Sequence, residues 1–575
     1  MAKTQNPSSL TLENNLLGST NFNLSCSRSS TMSVMLATPI YAKEVLPGDR
    51  WRIKPKVRIR TAVPFNSALV GSFSLQLAWF FEPDTNLYGF MDNNAQVTAQ
   101  QLQNATLHHF ELHAPEDGLA DTYFSRNNNV GTLANYLYFP AGFRPKFMAP
   151  TSPTPPAYKF SAHRLYTYWD IMRNYYVNRQ LDTVPVVSDT LDSSISQTGS
   201  YAFINLRSLD KIFLYLRNQT DGFGVGAHEV NMFNDTTTRD NWNYLWRSFT
   251  GSSFGSDADD GGERLTPNSG LFCTNFRSDV FTRVMSQGSG FAANITPASG
   301  GSISYNSIIG ASRLQAFINA VDITGGRFSD MMRFRYGVDV GTKTDRPYLL
   351  SVETIPLSVQ EMRTTANTSG KAAASQVSFI DVGARSNKIS FNASVSGTLM
   401  CIATIIPNVT YSEGIEPEVN VSKFSDLFQP EFANVSFENV PRINFSALPN
   451  RVTNTSNKGV QTTTFSNFIP YTSYARNIAW WRYMSDVNRS YGHLSSGESA
   501  ETWVINRSFM NYTAIDNDTS IKETRSFLFT TYGRPNMVNY LFADTSSSSQ
   551  NFVVQLGCDI NVRRCIPKFK LPYAY

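Results

Sequence analysis

Three stretches of this chain alternate apolar and polar residues with a period of two, and they include segments near both ends of its 575 residues. A strand is the conformation that sends successive side chains to opposite faces, so each stretch predicts a strand with one buried face. From Trp51 to Arg60, residues Trp51, Ile53, Val57 and Ile59 point one way while Arg52, Lys54, Lys56, Arg58 and Arg60 point the other. Next, Phe73, Leu75, Leu77, Trp79 and Phe81 interleave with Ser72, Ser74, Gln76, Ala78 and Phe80. Near the C-terminus, Phe552, Val554, Leu556, Cys558, Ile560 and Val562 alternate with Val553, Gln555, Gly557, Asp559, Asn561 and Arg563. A further apolar strand pair is expected from Lys388 to Ile406, where Ile389, Phe391 and Val395 lead into LMCIATII before Pro407. All four segments are expected in one antiparallel sandwich.

Helical periodicity is rarer and falls between these strands. In YKFSAHRLYTYWDIMRNYYVNRQ, residues Leu165, Tyr168, Trp169, Met172, Tyr175 and Tyr176 form one stripe. A second helix is predicted from Ser312 to Val321, with Leu314, Phe317, Ile318 and Val321 at helical spacing and Gly325 and Gly326 beyond it. Stretches rich in Ser, Gly, Asn and Thr, at Ser188 to Ser200, Gly251 to Gly262, Ser286 to Ser304 and Thr364 to Ser375, read as loops. No internal repeat is evident. Strands toward both ends with helices and polar loops between them imply a mainly β chain: one sandwich core carrying long insertions. We expect a single domain over residues 1–575, with an arm at 1–37, a surface insertion at 181–304 and a tail at 563–575.

Composition says what such a chain can be used for. With 41% hydrophobic and 13% aromatic residues it has enough apolar surface to offset chain entropy and fold. Only 16% of residues are charged, so Asn, Ser, Thr and Gln supply the polarity, which suits large neutral interfaces rich in aromatic rings. A net charge of +4 is too small to wrap a polyanion by bulk electrostatics, so any nucleic-acid contact must be local. The five cysteines Cys26, Cys273, Cys401, Cys558 and Cys565 are scattered without a CxxC or Cys/His pattern and read as buried thiols of a reducing compartment. No apolar run of signal-peptide or membrane-spanning length occurs, so neither secretion nor a membrane span is expected.

The motifs that suggest chemistry fail on context. Gly251-Ser252-Ser253-Phe254-Gly255 matches G-x-S-x-G, but an acidic Gly-rich loop follows where a helix is needed. Gly222, Gly224 and Gly226 have neither dinucleotide-loop nor P-loop spacing. His108, His109 and His113 beside Glu111 and Glu116 would bind metal only from facing elements; the stretch alternates as a strand about as well as it fits a helix, and a packed or solvated group is the simpler reading. Asp257, Asp259, Asp260 and Glu263 read as a solvated acidic loop without the EF-hand pattern. Asn-x-Ser/Thr triplets, as at Asn392, Asn408, Asn434 and Asn444, follow from the composition. No catalytic residue, cofactor or metal is expected.

The run TPIYAKEVLPGDRW, residues 38–51, resembles the entry to the first core strand of the major capsid proteins of microviruses, the gokushovirus-like and related gut-phage group. FNSALVGSFSLQLAWFFEP, LYTYWDIMRNYYVNRQ, GGRFSDMMRFRYGV with DRPYLLS, and FVVQLGCDINVRRCIPKFKLPY extend the resemblance in collinear order over most of the chain. Departures fall in the inserts, with Leu181 to Asn268 long and Ser286 to Ser304 short. The resemblance implies an eight-stranded antiparallel jelly roll with long outer loops. It also implies an icosahedral homo-oligomer around circular single-stranded DNA, assembled in the host bacterial cytoplasm. Its expected partners are an internal scaffolding protein, a pilot protein, a small basic DNA-binding protein and a host receptor, with no membrane.

Two basic groups then become candidate nucleic-acid contacts. One is the strand face Arg52, Lys54, Lys56, Arg58 and Arg60; the other is the tail, where Arg563, Arg564, Lys568 and Lys570 stand among Phe569, Tyr573 and Tyr575. Cations meet phosphates and rings stack on unpaired bases. The strand face would serve equally to pair with acidic groups of a neighbouring subunit. A carbohydrate-binding or carbohydrate-cleaving β-sandwich is the competing class; it needs a carboxylate pair on a concave face, which the spacing does not supply.

Overall fold

The computed structural model describes residues 19–87, 346–363, 376–432, 437–445, 473–496, 498–507, 536–544 and 550–564, with shorter pieces at 109–112, 131, 133–138, 158–161, 163–176, 183–185, 203–205, 271–275, 281, 285–286, 313, 367–368, 371–372, 451–454, 463–465, 513–515 and 566. Its long strands form two antiparallel sheets. We number the strands that build them β1 (Thr20–Asn23), β2 (Cys26–Met32), β3 (Leu36–Val45), β4 (Arg50–Thr61), β5 (Phe73–Pro83), β6 (Phe272–Cys273), β7 (Tyr348–Leu357), β8 (Asp381–Arg385), β9 (Ile389–Asn392), β10 (Gly397–Pro407) and β11 (Phe552–Arg564). In the first sheet β4 pairs with β11 on one side and with β8 and then β9 along the other, while β1 and β2 share the far side of β11. The second sheet runs β6-β3-β10-β5-β7.

The chain crosses from one sheet to the other between β2 and β3, β3 and β4, β4 and β5, β7 and β8, β9 and β10, and β10 and β11, which makes a sandwich rather than a meander. Between β3 and β4 the crossing is the turn at residues 46–49. Pro47 presets its first corner and Gly48, at φ 82°, takes the left-handed second corner that a side chain would strain. The Asp49 amide donates to the Leu46 carbonyl at 3.1 Å, closing the turn. The turn's charged end is internal: Asp49 is wholly buried, and its carboxylate accepts from the Leu46 amide, the Trp51 indole at 3.2 Å and Arg564 at 3.0 Å.

Pro55 lies in the middle of β4 without breaking it. The N–H and C=O of a strand residue point to the same side. The Pro55 carbonyl accepts from the Ser386 amide at 3.0 Å, so its missing N–H faces the gap where β8 has ended and β9 has not begun. Proline is tolerated where no ladder bond is needed.

Between the sheets lies one apolar cluster. Trp51, Ile53, Val57 and Ile59 of β4 and Val554, Leu556 and Ile560 of β11 face Leu75, Leu77 and Trp79 of β5 and Leu399, Cys401 and Ile405 of β10. Each fully buried large side chain contributes roughly 1.5–3 kcal/mol, so the cluster, not local strand propensity, fixes the pairing. Trp51 stacks on Phe391 at 6.0 Å, and Phe65, Phe73, Phe542 and Phe552 close one end.

The two sheets differ on their other faces. The second sheet is covered there by helix α1 (His163–Ile171), which continues as a π-helical turn at Met172–Tyr176. The Tyr168 hydroxyl donates to the Ala37 carbonyl at 2.8 Å, and Tyr175 packs on Phe80 with ring centres 4.9 Å apart. All of Leu165 to Ile171 is buried. Consequently β5 is almost entirely buried on both faces, and of the polar face expected of Phe73 to Phe81 only Gln76 stays partly exposed. On β4 the alternation holds without a break, with the odd residues Trp51 to Ile59 inside and Arg50 to Arg60 outside.

Phe552 to Val562 lies within β11, and Lys388 to Ile406 holds β9 and β10, which sit in opposite sheets instead of pairing with each other. The predicted helix begins later than its aromatic run, because Tyr158–Ser161 is a strand paired with His109–Leu112. Thr364 to Ser375 is not wholly loop: Asn367–Thr368 pairs with Lys371–Ala372, just beyond the paired strands Gln360–Arg363 and Gln376–Phe379. Of the helix predicted from Ser312 only Arg313 is described, and the loops at 188–200 and 251–262, with most of 181–304, lie outside the described residues. Among the described residues no helix is long and apolar enough to cross a membrane.

Candidate nucleic-acid interface

The uncovered face of the first sheet is the candidate site. Along a strand, alternate side chains repeat every ~6.7 Å, so Arg50, Arg52, Lys54, Lys56, Arg58 and Arg60 form a row about 34 Å long. Register brings further cations beside it: Arg385 of β8 is opposite Lys56, and Arg563 of β11 is opposite Arg50. Two carboxylates interrupt the row. Asp559 pairs with Lys56 at 2.8 Å, and Asp381 takes Arg58 in a two-pronged contact at 3.0 and 2.8 Å. Those cations hold both carboxyls below the usual range, Asp381 chiefly by the hydrogen bond from Arg58 and Asp559 by that from Lys56. Both pairs are solvent-exposed and worth little to stability. Arg52, Lys54 and Arg60 make no ion pair among the described residues.

Around the row the sheet presents small polar groups: Ser27, Ser29, Thr31 and Asn23 from the first two strands, Gln555 and Asn561 from β11, and Ser390 and Asn392 from β9. Among the described residues of these strands, the register puts no aromatic ring on this face. Such a surface has the charge to meet phosphates but no ring on which a base could stack.

The tail residues part company at the end of β11. Arg563 stays on the open face, with its Nε donating to Ser19 Oγ at 2.8 Å. Arg564 turns to the other side. Its guanidinium pairs with buried Asp49 at 3.0 Å, donates to the Glu44 carbonyl at 2.8 Å and lies over the Trp51 ring at 5.3 Å. It therefore serves the β3–β4 turn. Lys568, Phe569, Lys570, Tyr573 and Tyr575 lie outside the described residues. Arg50 and Arg385 escaped the sequence reading. Arg50 continues the same alternation by one step and was available to it; Arg385 joins the row only through strand register.

Among the described residues the other candidates form no site. His109 and Glu111 belong to a strand, so the helical spacing of His109 and His113 is not used; His108, His113 and Glu116 lie outside the described residues. So do Gly222 to Gly226, Gly251 to Gly255, Asp257, Asp259, Asp260 and Glu263. Among the described residues no three His, Cys, Asp or Glu side chains are grouped to hold a metal. A surface cleft of about 410 Å³ lies between Tyr411, Glu416, Val419, Arg489 and Tyr491. Its carboxylates do not form a catalytic pair: Glu416 alone lines it, already held by Arg489 at 3.4 Å and by the Tyr491 hydroxyl at 3.1 Å.

Comparison with known proteins adds a positive finding. A family model described as "Capsid protein (F protein)", of phage origin, matches residues 148–525, more than half of the chain. That span contains α1 and β6 to β10; the basic strand β4 and the C-terminal β11 lie outside it. No curated protein matches.

Proposed function

Because the chain belongs to the F-type capsid protein family of microviruses, we propose that many copies of it close an icosahedral shell around a circular single-stranded DNA genome. The match over residues 148–525 carries this reading. The family is a structural one, and the proposed role calls for no catalytic step. The sandwich supports the finer fold: each sheet has four long ladder positions, in keeping with an eight-stranded jelly roll. Association runs through heterologous interfaces whose rotations close, and the low charge and high Asn, Ser, Thr and aromatic content keep each contact modest.

The open face of the first sheet and the tail are the proposed genome contacts. Arg52, Lys54, Lys56, Arg58 and Arg60, joined by Arg50, Arg385 and Arg563, would engage phosphates; Lys568 and Lys570 would extend the charge, and Phe569, Tyr573 and Tyr575 would supply the rings the sheet lacks. Arg564 anchors the strand from which the tail departs. A scaffolding protein would guide assembly in the host cytoplasm, and a pilot protein and a small basic protein would share the interior. The region 181–304 would form the outer surface that meets the host receptor. Electron microscopy of the chain expressed with and without its scaffold tests the central claim: closed isometric shells are expected, and a persistently monomeric chain that binds glycans would overturn it in favour of the carbohydrate reading.

A further inference from the structure

The two ends of the sandwich meet at a pair of thiols. Cys26 opens β2 and stands directly opposite Cys558 in the antiparallel β2–β11 ladder, so both side chains leave the ladder on the same face. Both are free; Cys558 is buried and Cys26, packed at the margin of the apolar cluster, is half-buried, so Cys26 is the more accessible of the two. Opposed Cβ atoms lie ~4.5–5.5 Å apart in such a ladder, against the ~3.5–4.5 Å of a disulfide. Closing that gap needs a small shift of β2, which pairs with β11 alone among the described strands. Burial first, then Cys26 and Asp559, raise the Cys558 thiol, and Arg28, two residues along β2, offsets only part of this. A third thiol, wholly buried Cys401 on β10, approaches Cys558 from the opposite sheet and lacks a solvent-facing side.

We propose that Cys26 and Cys558 are an oxidation site, at which a small-molecule disulfide such as oxidised glutathione converts the two thiols into a cross-strand disulfide. The Cys26 thiolate attacks the reagent's S–S bond, which breaks and releases one thiol. The Cys558 sulfur then attacks Cys26 in the mixed disulfide, forming the intramolecular bond and releasing the second thiol. Two protein thiols are oxidised, one reagent disulfide is reduced, and the two protons leave with the two released thiols. Cys26 reacts first because it is the less buried of the two, and burial, which pushes the Cys558 thiol up to about 12, makes the closing step slow at neutral pH. The bond would tie the strand at one end of the chain to the strand at the other, closing a loop over nearly all of it and restricting the unfolded state strongly. A chain folded under reducing conditions would thus be locked after it leaves them. This site lies outside the assembly reading and does not depend on it.

The test uses the full-length chain, incubated with oxidised glutathione, quenched by alkylation, and analysed by peptide mass spectrometry and thermal melting. A Cys26–Cys558 crosslink is expected, with a melting midpoint raised by several degrees and restored by dithiothreitol. Cys401→Ser should keep both effects, whereas Cys26→Ser, a change at a half-buried edge position that the fold tolerates, should abolish both. Alkylation of both cysteines after oxidation, glutathione held on Cys26 alone, or a Cys401–Cys558 crosslink would each overturn the proposal.

Discussion

At the scale of single residues, two buried charges decide how the sandwich responds to change. Asp49 is fully buried and Arg564 keeps only 14% of its side chain exposed, so removing either partner strands the other without its counter-charge. Arg564→Ala is expected to cost about 3–5 kcal/mol, read by denaturant unfolding; a loss below about 1 kcal/mol would show that the turn does not need the pair. Glu82 poses the opposite case. Its carboxyl is wholly buried, and desolvation first, then the negative charge of Asp170, drives it well above the usual range. Other groups near it are Asn86 and Asp84 on the following turn, the latter paired in turn with His163 of α1 at 3.1 Å. Such an acid is protonated in the fold and ionised in the unfolded chain above about pH 4.5, so the unfolded chain binds fewer protons and stability falls as pH rises through that window. Glu82→Gln removes this slope. Its melting midpoint should gain on the wild type between about pH 5 and pH 7, and parallel pH profiles would refute the assignment.

At the scale of elements, β4 and β10 show different uses of a strand. Strand β4 has one face in the core and one in solvent, and its outer cations can be changed without touching the fold. Arg52→Gln, Lys54→Gln and Arg60→Gln together should leave the melting temperature within a degree or two. They should also weaken binding to a single-stranded oligonucleotide and lower its salt slope by about 2, at ~0.7 for each phosphate no longer neutralised. Fluorescence anisotropy over a salt series reads both, and an unchanged slope would favour pairing with an acidic neighbouring surface. Strand β10 has no free face. It begins at Gly397, where an added Cβ would fall 2.1 Å from the Glu82 carbonyl and against the Phe81 ring. Gly397→Ala therefore forces β10 away from β5 and should destabilise by at least the ~1–3 kcal/mol typical of overpacking.

At the scale of the whole molecule, the sandwich presents an open, cationic face on one side and a covered face on the other, and in the proposed shell this asymmetry would orient it. If the open face looks inward, the tail leaving β11 beside Arg563 also starts on the inside. Replacing Arg563, Lys568 and Lys570 with Gln should lower the thermal stability of genome-filled particles and leave empty shells unchanged, as measured by dye-release melting. Equal losses in both would mean that the tail clamps a neighbouring subunit. Arg564 is left out of that set because its loss would destabilise the subunit itself. The opposite, outer role proposed for residues 181–304 predicts that deleting residues 251–262 impairs host attachment more than assembly, and intact attachment would remove the support for it.

The sequence by itself determined the strands whose two faces have different solvents. Strands β4 and β11 were readable to within a residue or two, because a period of two needs only the order of apolar and polar side chains. The run Pro47-Gly48-Asp49 before β4 entered the sequence reading only through the family resemblance, and nothing local announced that it would turn with Asp49 buried against Arg564, more than five hundred residues away. What the sequence could not contain was the second cover. Strand β5 reads as half polar because Ser74 and Gln76 interrupt it, yet the sheet face to which they belong is covered by α1 and its π-helical continuation, and only Gln76 in the strand keeps partial exposure. In the same way Arg385 joins the basic row, and Cys26 meets Cys558, only through register across non-local ladders. Periodicity reports which solvent each side chain prefers along one strand, whereas which strands lie side by side is settled by burying all the apolar faces at once, and that is a property of the tertiary structure alone.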